Sequence, residues 1–533
     1  MQLPLSIIPK PEKITLHAGS FVLAPNSSIS YVPAGRRAAE LLKQVTGFGL
    51  VAEKGAIQIK LDPDIQGDEA YQLEINERGI SISASTSAGL FYGAQTVRQL
   101  LPASAEKDGI TQAVDMPCLH IEDRPRFQHR GFMLDVSRHF FNPTEIKRVL
   151  DLLALQKLNR FHWNLTNDQG WRIEIKKYPR LTEIGSKRKA TQVDGWILSK
   201  PVYDGIPYEG FYTQEEVREI VAYAKENFIE VIPEINSPGH AAAAIAAYPE
   251  LSCAGTPSEV RATFTSFSKP LCVGKDFAFE FLENVFTEIA ELFPFGYIHI
   301  GGDEVNKKEW KKCPHCRRRV AEQGLKSGND LQTYYENQLV KRLKTKGVNI
   351  IAWNEAMHAD LDKAVINQYW FFIHRKKSLA ELQKGRKTIV SDASALYLDY
   401  SYKVMELLRT YNFEPQFPEV TDEQAVNILG VESALWTEYV YSRNRMDWQM
   451  FPRLLAVSET AWTPKHERNY QDFLTRLESF EQRLNALDVH HATRECYLKY
   501  QKISKVPSIF KVIAREHPAM QEYKQYHPLE SRD

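Results

Sequence analysis

The segment YIHIGGDEVNKKEW, residues 297–310, runs a short apolar alternation into two glycines and then sets Asp303 and Glu304 side by side. Adjacent carboxylates repel, so a plain surface turn has no use for both. A reaction that needs one carboxyl group as proton donor and a second as an anion does. Reactive groups follow other short apolar runs in the same way. Arg138 follows GFMLDV (131–136), and Asn167, Asp168 and Gln169 follow RFHWNL (160–165). Asn236 and His240 lie in PEINSPGH, at the end of IEVIPEI (229–235). Trp353 closes NIIAW (349–353) with Glu355 just beyond, and Trp370 closes INQYW (366–370). KTIVS (387–391) leads to Tyr397 and Asp399, while GVESALW (430–436) ends at Trp436 with Glu438 following. Acids, an arginine, a histidine and three tryptophans so placed suit a sugar. Aromatic faces stack on the apolar faces of pyranose rings, and carboxylates and guanidinium bond the hydroxyls. Taken singly, each has an ordinary explanation. A tryptophan is more often core than platform, Arg138 could pair with Asp135 or Glu122, and His240 could satisfy a carbonyl in its turn. Their recurrence at every run is what carries the reading.

Groups spread over some 300 residues meet only if the fold brings these runs together. Between several of them lie amphipathic stretches such as TQEEVREIVAYAKENF (213–228), which opens on the capping-box pair Thr213 and Glu216 and sets Val217, Ile220, Val221 and Ala224 on one face. Eight buried strands alternating with helices over 123–465 predict an α/β fold, a parallel (β/α)8 TIM-type barrel with its site at the C-terminal strand ends. An open doubly wound sheet needs the same local signals, but no glycine-rich dinucleotide fingerprint follows the first strand. Residues 1–122 read as a small α+β domain: YQLEI (71–75) and ISISA (80–84) form a hairpin around Glu77-Arg78-Gly79, and TSAGLFYGAQTVRQLL (86–101) has helical spacing. Residues 466–533, with DFLTRLESFEQRLNALDV (472–489), predict a C-terminal helical segment packed on the barrel.

Lys+Arg and Asp+Glu both number 67 in the 533 residues, so the net charge is zero and no nucleic-acid partner is implied. No run of about 18 apolar residues is present, so no membrane-spanning helix is expected. The start, MQLPLSIIPKPEK, shows no basic segment followed by an apolar core. Location then turns on whether a leader has been removed: periplasmic or secreted if so, cytoplasmic otherwise. Cys313 and Cys316 form CPHC, half of a zinc-ribbon spacing, and no second CxxC completes it. Two ordinary thiols at a helix start, or a redox-labile pair, is the expected reading. Cys253 and Cys272 flank a loop and could bridge in an oxidising compartment. No cofactor is expected, no metal ligands are assigned, and nothing fixes the oligomeric state.

DRPRFQHRGFMLDVSRHF, KLNRFHWNLTNDQGWRIEIKKYP, VIPEINSPGH, HIGGDE, AWNE, YLD and LWTE, in that order, resemble glycoside hydrolase family 20, the β-N-acetylhexosaminidases. The likeness covers nearly the whole chain, including the small domain before the barrel. It implies a glycan substrate with a terminal N-acetylhexosamine and substrate-assisted retention, in which the sugar's own acetamide attacks the anomeric carbon. Glu304 then matches the acid/base, Asp303 the anion that orients the acetamide, and Tyr397 the hydroxyl on the acetamide oxygen. Arg138, Asp399 and Glu438 match contacts to the ring hydroxyls, and Trp353, Trp370 and Trp436 match the walls.

The family usually reads HWHLTDDQ where this chain has HWNLTNDQ, and an aspartate is common where Asn236 stands. The resemblance implies a relay from residue 167 through His240 to Glu304. With Asn167 and Asn236 uncharged, His240 is expected to be more often neutral. Asp303 and Glu304, as successive strand residues, are expected to point to opposite sides, with Gly301 and Gly302 leaving room for a sugar against the backbone. Alternative readings are a catalytically weakened carbohydrate-binding barrel, a specialised member acting on sulfated or disaccharide units, and a metal-dependent hydrolase built on His299, Asp303 and Glu304. Turnover of p-nitrophenyl N-acetyl-β-glucosaminide, and its inhibition by an oxazoline mimic, favours the hydrolase over the binding barrel.

Overall fold

The computed structural model describes residues 5–194, 200–264 and 268–499. Residues 500–533 of the expected C-terminal segment lie outside that range; the part that precedes them contains the helix Tyr470–Ala486, whose Phe473, Leu477, Phe480 and Leu484 are buried. The expected hairpin is present, Tyr71–Asn76 pairing antiparallel with Gly79–Ala84, inside a seven-stranded sheet. The helix Ser87–Leu100 covers this sheet, with the Thr86 side chain accepting from Gly89 N as its cap. A buried lock joins this domain to the barrel. Lys157 Nζ lies 2.8 Å from Asp123, and Asp123 also accepts from the Tyr71 hydroxyl and from the Trp462 ring N–H.

Each apolar run becomes a barrel strand: β1 (His129–Asp135), β2 (Arg160–Asn167), β3 (Glu230–Ser237), β4 (Tyr297–Gly301), β5 (Asn349–Trp353), β6 (Ile366–Tyr369), β7 (Thr388–Val390) and β8 (Ile428–Leu435). Neighbours pair in parallel in chain order. The barrel closes where β8 pairs with β1, Glu432 opposite Gly131. The helix Gln214–Glu226 has the expected capping box and buries Val217, Ile220 and Ala224 against this wall.

The runs were not purely apolar, and the charged residues within them have their own place. Glu432 accepts from His129 Nε2 at 2.8 Å and His162 Nδ1 at 2.8 Å, while Glu234 sits 3.0 Å from His162 Nε2 and 3.3 Å from His299 Nδ1. All five are buried inside the barrel. Burial would push the His162 imidazole down, yet the flanking carboxylates of Glu432 and Glu234 lift it to about 9. His299 is therefore bonded to Glu234 within the barrel, not grouped with Asp303 and Glu304 as the metal-hydrolase reading required.

Candidate active site

Strand β4 ends in a turn that its two glycines make possible. Gly301 and Gly302 have φ of +77° and +94°, and a Cβ on Gly301 would stand 2.0 Å from Asn236 Oδ1. The glycines thus face Asn236 and Ala356, and the room they leave is taken by protein, contrary to the sequence-based expectation. Glu304 and His240 both adopt φ of +48°, in the left-handed region that non-glycine residues seldom enter. This turn replaces the strand alternation expected of Asp303 and Glu304. Both carboxylates reach one atom, His240 Nε2, each at 3.4 Å.

The other ring nitrogen of His240, Nδ1, meets Asp168 Oδ2 at 3.3 Å. The relay contact expected of Asn167 is made by its neighbour, because Asn167 turns its Oδ1 back to accept from Asp168 N at 2.9 Å. Asp168 Oδ1 is fixed in turn by Ala242 N at 3.0 Å. Burial alone would push the His240 imidazole down, but the charge of Asp303 and the hydrogen bonds of Asp168, Asp303 and Glu304 hold it well above the ordinary histidine range. The expectation of a mostly neutral His240 is overturned: three carboxylates surround it, and the asparagines remove none of them. Burial likewise pushes Asp168 up, and its bond to His240 outweighs that and brings it below the usual carboxylate range.

Asn236 carries a function that its departure from the usual aspartate concealed. Its Nδ2 donates to Asp303 Oδ1 at 3.0 Å. A carboxyl group at 236 could share that bond only if one of the two acids held a proton, whereas the amide donates without one. Glu355, noted in the sequence only as a strand-end acid, accepts from Glu304 N at 3.0 Å and pins the strained turn. Burial and then the charge of Asp303 raise the Glu355 carboxyl to about 8.

Aromatic rings form the wall on the β5–β8 side. Trp353 is 1% exposed, its ring N–H donating to Glu234 Oε1 at 2.9 Å, so it is the floor. Trp370 and Tyr397 stack nearly parallel, 5.8 Å between centroids, and Trp436 lies 6.0 Å from Trp353 and 6.3 Å from Tyr397. The Arg138 guanidinium stands over Trp436 at 5.1 Å, donates to Gln169 Oε1 at 2.9 Å and to Asp135 Oδ2 at 3.2 Å, and lies 3.7 Å from Glu438. The Asp135 pairing weighed as an alternative to sugar binding is present, and it orients the guanidinium toward the rim. Burial and the neighbouring Glu438 raise the Asp399 carboxyl to about 8. Of the residues expected at the site, Asn167 bonds no other side chain among the described residues, its Oδ1 accepting only from the Asp168 backbone amide.

Asp168→Asn separates this relay from the one expected at residue 167. His240 loses a carboxylate partner, so its pKa falls and the imidazolium gives up its proton at lower pH than in the parent. The expected result is a His240 titration midpoint moved down by about a unit or more in an imidazole NMR titration. Asn167→Asp, which leaves Asp168 in place, moves it in the opposite direction or not at all.

A closed parallel barrel with a polar, acid-rich rim, a histidine held between three carboxylates and an aromatic wall is a carbohydrate-processing (β/α)8 barrel. Residues 127–465 match the family model "Glycosyl hydrolase family 20, catalytic domain", and residues 5–124 match "Glycosyl hydrolase family 20, domain 2"; the chain belongs to glycosyl hydrolase family 20. A "Beta-hexosaminidase" of Porphyromonas gingivalis is 38% identical over 91% of this chain, which spans 64% of that relative's length. One of Vibrio furnissii is 36% identical over 85% of this chain and 76% of its own. Among solved structures, the exo β-N-acetylglucosaminidase of Vibrio harveyi in complex with N-acetylglucosamine superposes with a TM-score of 0.81 at 32% identity, covering 92% of this chain and 79% of that one. The Streptomyces plicatus N-acetyl-β-hexosaminidase in complex with Thio-NAglucal gives 0.80 at 31% identity, covering 92% and 96%.

Proposed function

We propose that the protein is an exo-acting glycosidase that removes a terminal, non-reducing β-linked N-acetylhexosamine, GlcNAc or GalNAc, with retention and by substrate assistance. The observation that carries this is the convergence of Asp303 and Glu304 on His240 Nε2, opposite the Trp370–Tyr397–Trp436 wall. In this reading the wall folds the acetamide under the ring, with the Tyr397 hydroxyl on its oxygen and anionic Asp303 on its nitrogen. The acetamide oxygen attacks the anomeric carbon while Glu304 protonates the departing oxygen, and an oxazolinium forms. Water then opens it, with Glu304 as base. Holding the internal nucleophile in place is worth about 7 kcal/mol or more. The His240 ring, anchored on Asp168, stands 3.4 Å from Glu304 and offsets the negative charge that Glu304 carries once it has given up its proton.

Arg138, Asp399 and Glu438 supply the ring-hydroxyl contacts. An acid rather than a basic residue at position 399 favours a neutral sugar over a 6-sulfated one, which a cation there would pair. The test is NMR observation of p-nitrophenyl N-acetyl-β-glucosaminide hydrolysis. The β-anomer of the free sugar is expected first, with competitive inhibition by an oxazoline mimic. The α-anomer first would overturn retention, and binding without turnover would support the weakened binding barrel.

A further inference from the structure

The half-site CPHC has its partner elsewhere in the chain. Ser252 and Leu271 form an antiparallel bridge, and Cys272 N donates to Leu251 O at 2.7 Å, which brings Cys253 and Cys272 together at the neck of a long loop. Cys313 caps the helix Pro314–Glu322, Cys316 lies in its first turn, and this helix end packs on that neck. All four sulfurs lie within 4.8 Å of one another. The S···S separations are 3.7 Å for Cys272–Cys313, 3.7 Å for Cys272–Cys316 and 3.9 Å for Cys253–Cys316. A disulfide would require about 2.05 Å, and all six cysteines of the chain are free. Four sulfurs placed tetrahedrally about a zinc ion at about 2.3 Å stand about 3.8 Å apart, the edge of that tetrahedron.

We propose that Cys253, Cys272, Cys313 and Cys316 are the four ligands of a structural zinc ion that ties together the two loops bearing His240 and Glu304. Every position is set up for it. Cys272 and Cys316 are fully buried, Cys313 is 4% exposed, and Cys253 alone is half-buried at the outer corner. Gly274 lies flat against the helix start, where a Cβ would stand 2.3 Å from Cys316 N, and its own N–H bonds the Cys272 sulfur. On binding, four thiols release their protons to solvent and the tetrathiolate zinc carries two net negative charges. The N-terminus of Pro314–Glu322 and the Lys275 ammonium, held by Ser252 O at 2.6 Å and Glu250 O at 3.0 Å, offset that charge.

The cluster is one hydrogen bond from the catalytic loops on either side. Leu271 N donates to Pro238 O at 2.8 Å, in the Pro238-Gly239-His240 turn, and Leu271 O accepts from the Trp310 ring N–H at 2.9 Å, on the segment that follows Glu304. Zinc here has no open coordination position and no contact with the sugar site. It positions the loops and takes no part in the reaction, whichever sugar that reaction releases.

Elemental analysis of the full chain, purified with zinc and then passed through metal-free buffer, is expected to give about one zinc per chain. The four thiols are expected to resist a thiol reagent until a mercurial displaces the metal, and reconstitution of the reduced apoprotein with Co(II) to give the intense charge-transfer and d–d bands of a tetrahedral thiolate site. Cys272→Ser is expected to lower zinc to about a tenth per chain or less and to lower Tm, while Cys496→Ser, outside the cluster, changes neither. If Cys272→Ser does not accumulate as folded protein, Cys253→Ser at the exposed corner and the parent's own metal content decide. Zinc below about 0.2 per chain with no Co(II) thiolate spectrum, iron in place of zinc, or paired disulfides in protein prepared without oxidant would each overturn the proposal.

Discussion

Glu304→Gln is expected to lower kcat/KM for an alkyl N-acetyl-β-glucosaminide about 10³-fold, and for the 2,4-dinitrophenyl glycoside about tenfold or less. The difference follows from the step that kcat/KM reports. With the acetamide as nucleophile, formation of the oxazolinium needs a proton only on the leaving oxygen. An alkoxide cannot leave without it, whereas dinitrophenolate can. Glutamine preserves the side-chain volume beside His240, 3.4 Å away, and the backbone N–H that Glu355 accepts, so the strained turn at φ +48° stays pinned. A thousandfold loss is about 4 kcal/mol of transition-state stabilisation. Steady-state ratios for a panel of leaving groups check it. Equal losses across the panel would mean that Glu304 is not the proton donor.

The eight strands were legible because each is a short apolar run bounded by turn residues, and the capping box of Gln214–Glu226 announced its helix. The rim was legible for the same reason: a parallel barrel puts its strand ends in one place. Which of two adjacent residues faces inward was not. Asn167 and Asp168 sit where β2 gives way to a turn, and the turn sends Asp168 to His240 and folds Asn167 back on its neighbour's amide. Periodicity carries no information past the end of a strand. The same limit hid the convergence of Asp303 and Glu304, which depends on left-handed backbone at Gly301, Gly302 and Glu304. The cysteine cluster was hidden by distance along the chain. CPHC is local, but its complement is assembled by the Ser252–Leu271 bridge across a long loop, and no motif at fixed spacing encodes that. His162, Glu234 and Glu432 were read as part of apolar runs and His299 as a candidate metal ligand, although together with His129 they form the charged centre of the barrel.

Asp303→Asn tests the other half of the acid pair, and its effect is expected to be as large as that of Glu304→Gln, with a different signature. The amide keeps an Oδ1 to accept the Asn236 Nδ2 bond of 3.0 Å, so the geometry of the turn is retained and the change is one of charge. An anion that stabilises positive charge developing on the acetamide nitrogen acts in the transition state more than in the bound substrate. The expected loss is therefore about 10³-fold in kcat with little change in KM, and it is independent of the leaving group because the nucleophile is what has been weakened. An oxazoline mimic, which resembles the charged intermediate, is expected to lose affinity by a comparable factor, while the neutral product sugar loses much less. A second readout follows from His240. Burial lowers its pKa and Asp303 supplies the largest opposing charge, so removing that charge lets the pKa fall. The imidazolium of Asp303→Asn is then lost at lower pH than in the parent, and an imidazole NMR titration reads it directly. An unchanged His240 midpoint, or a loss confined to KM, would show that Asp303 is not the anion beside the acetamide.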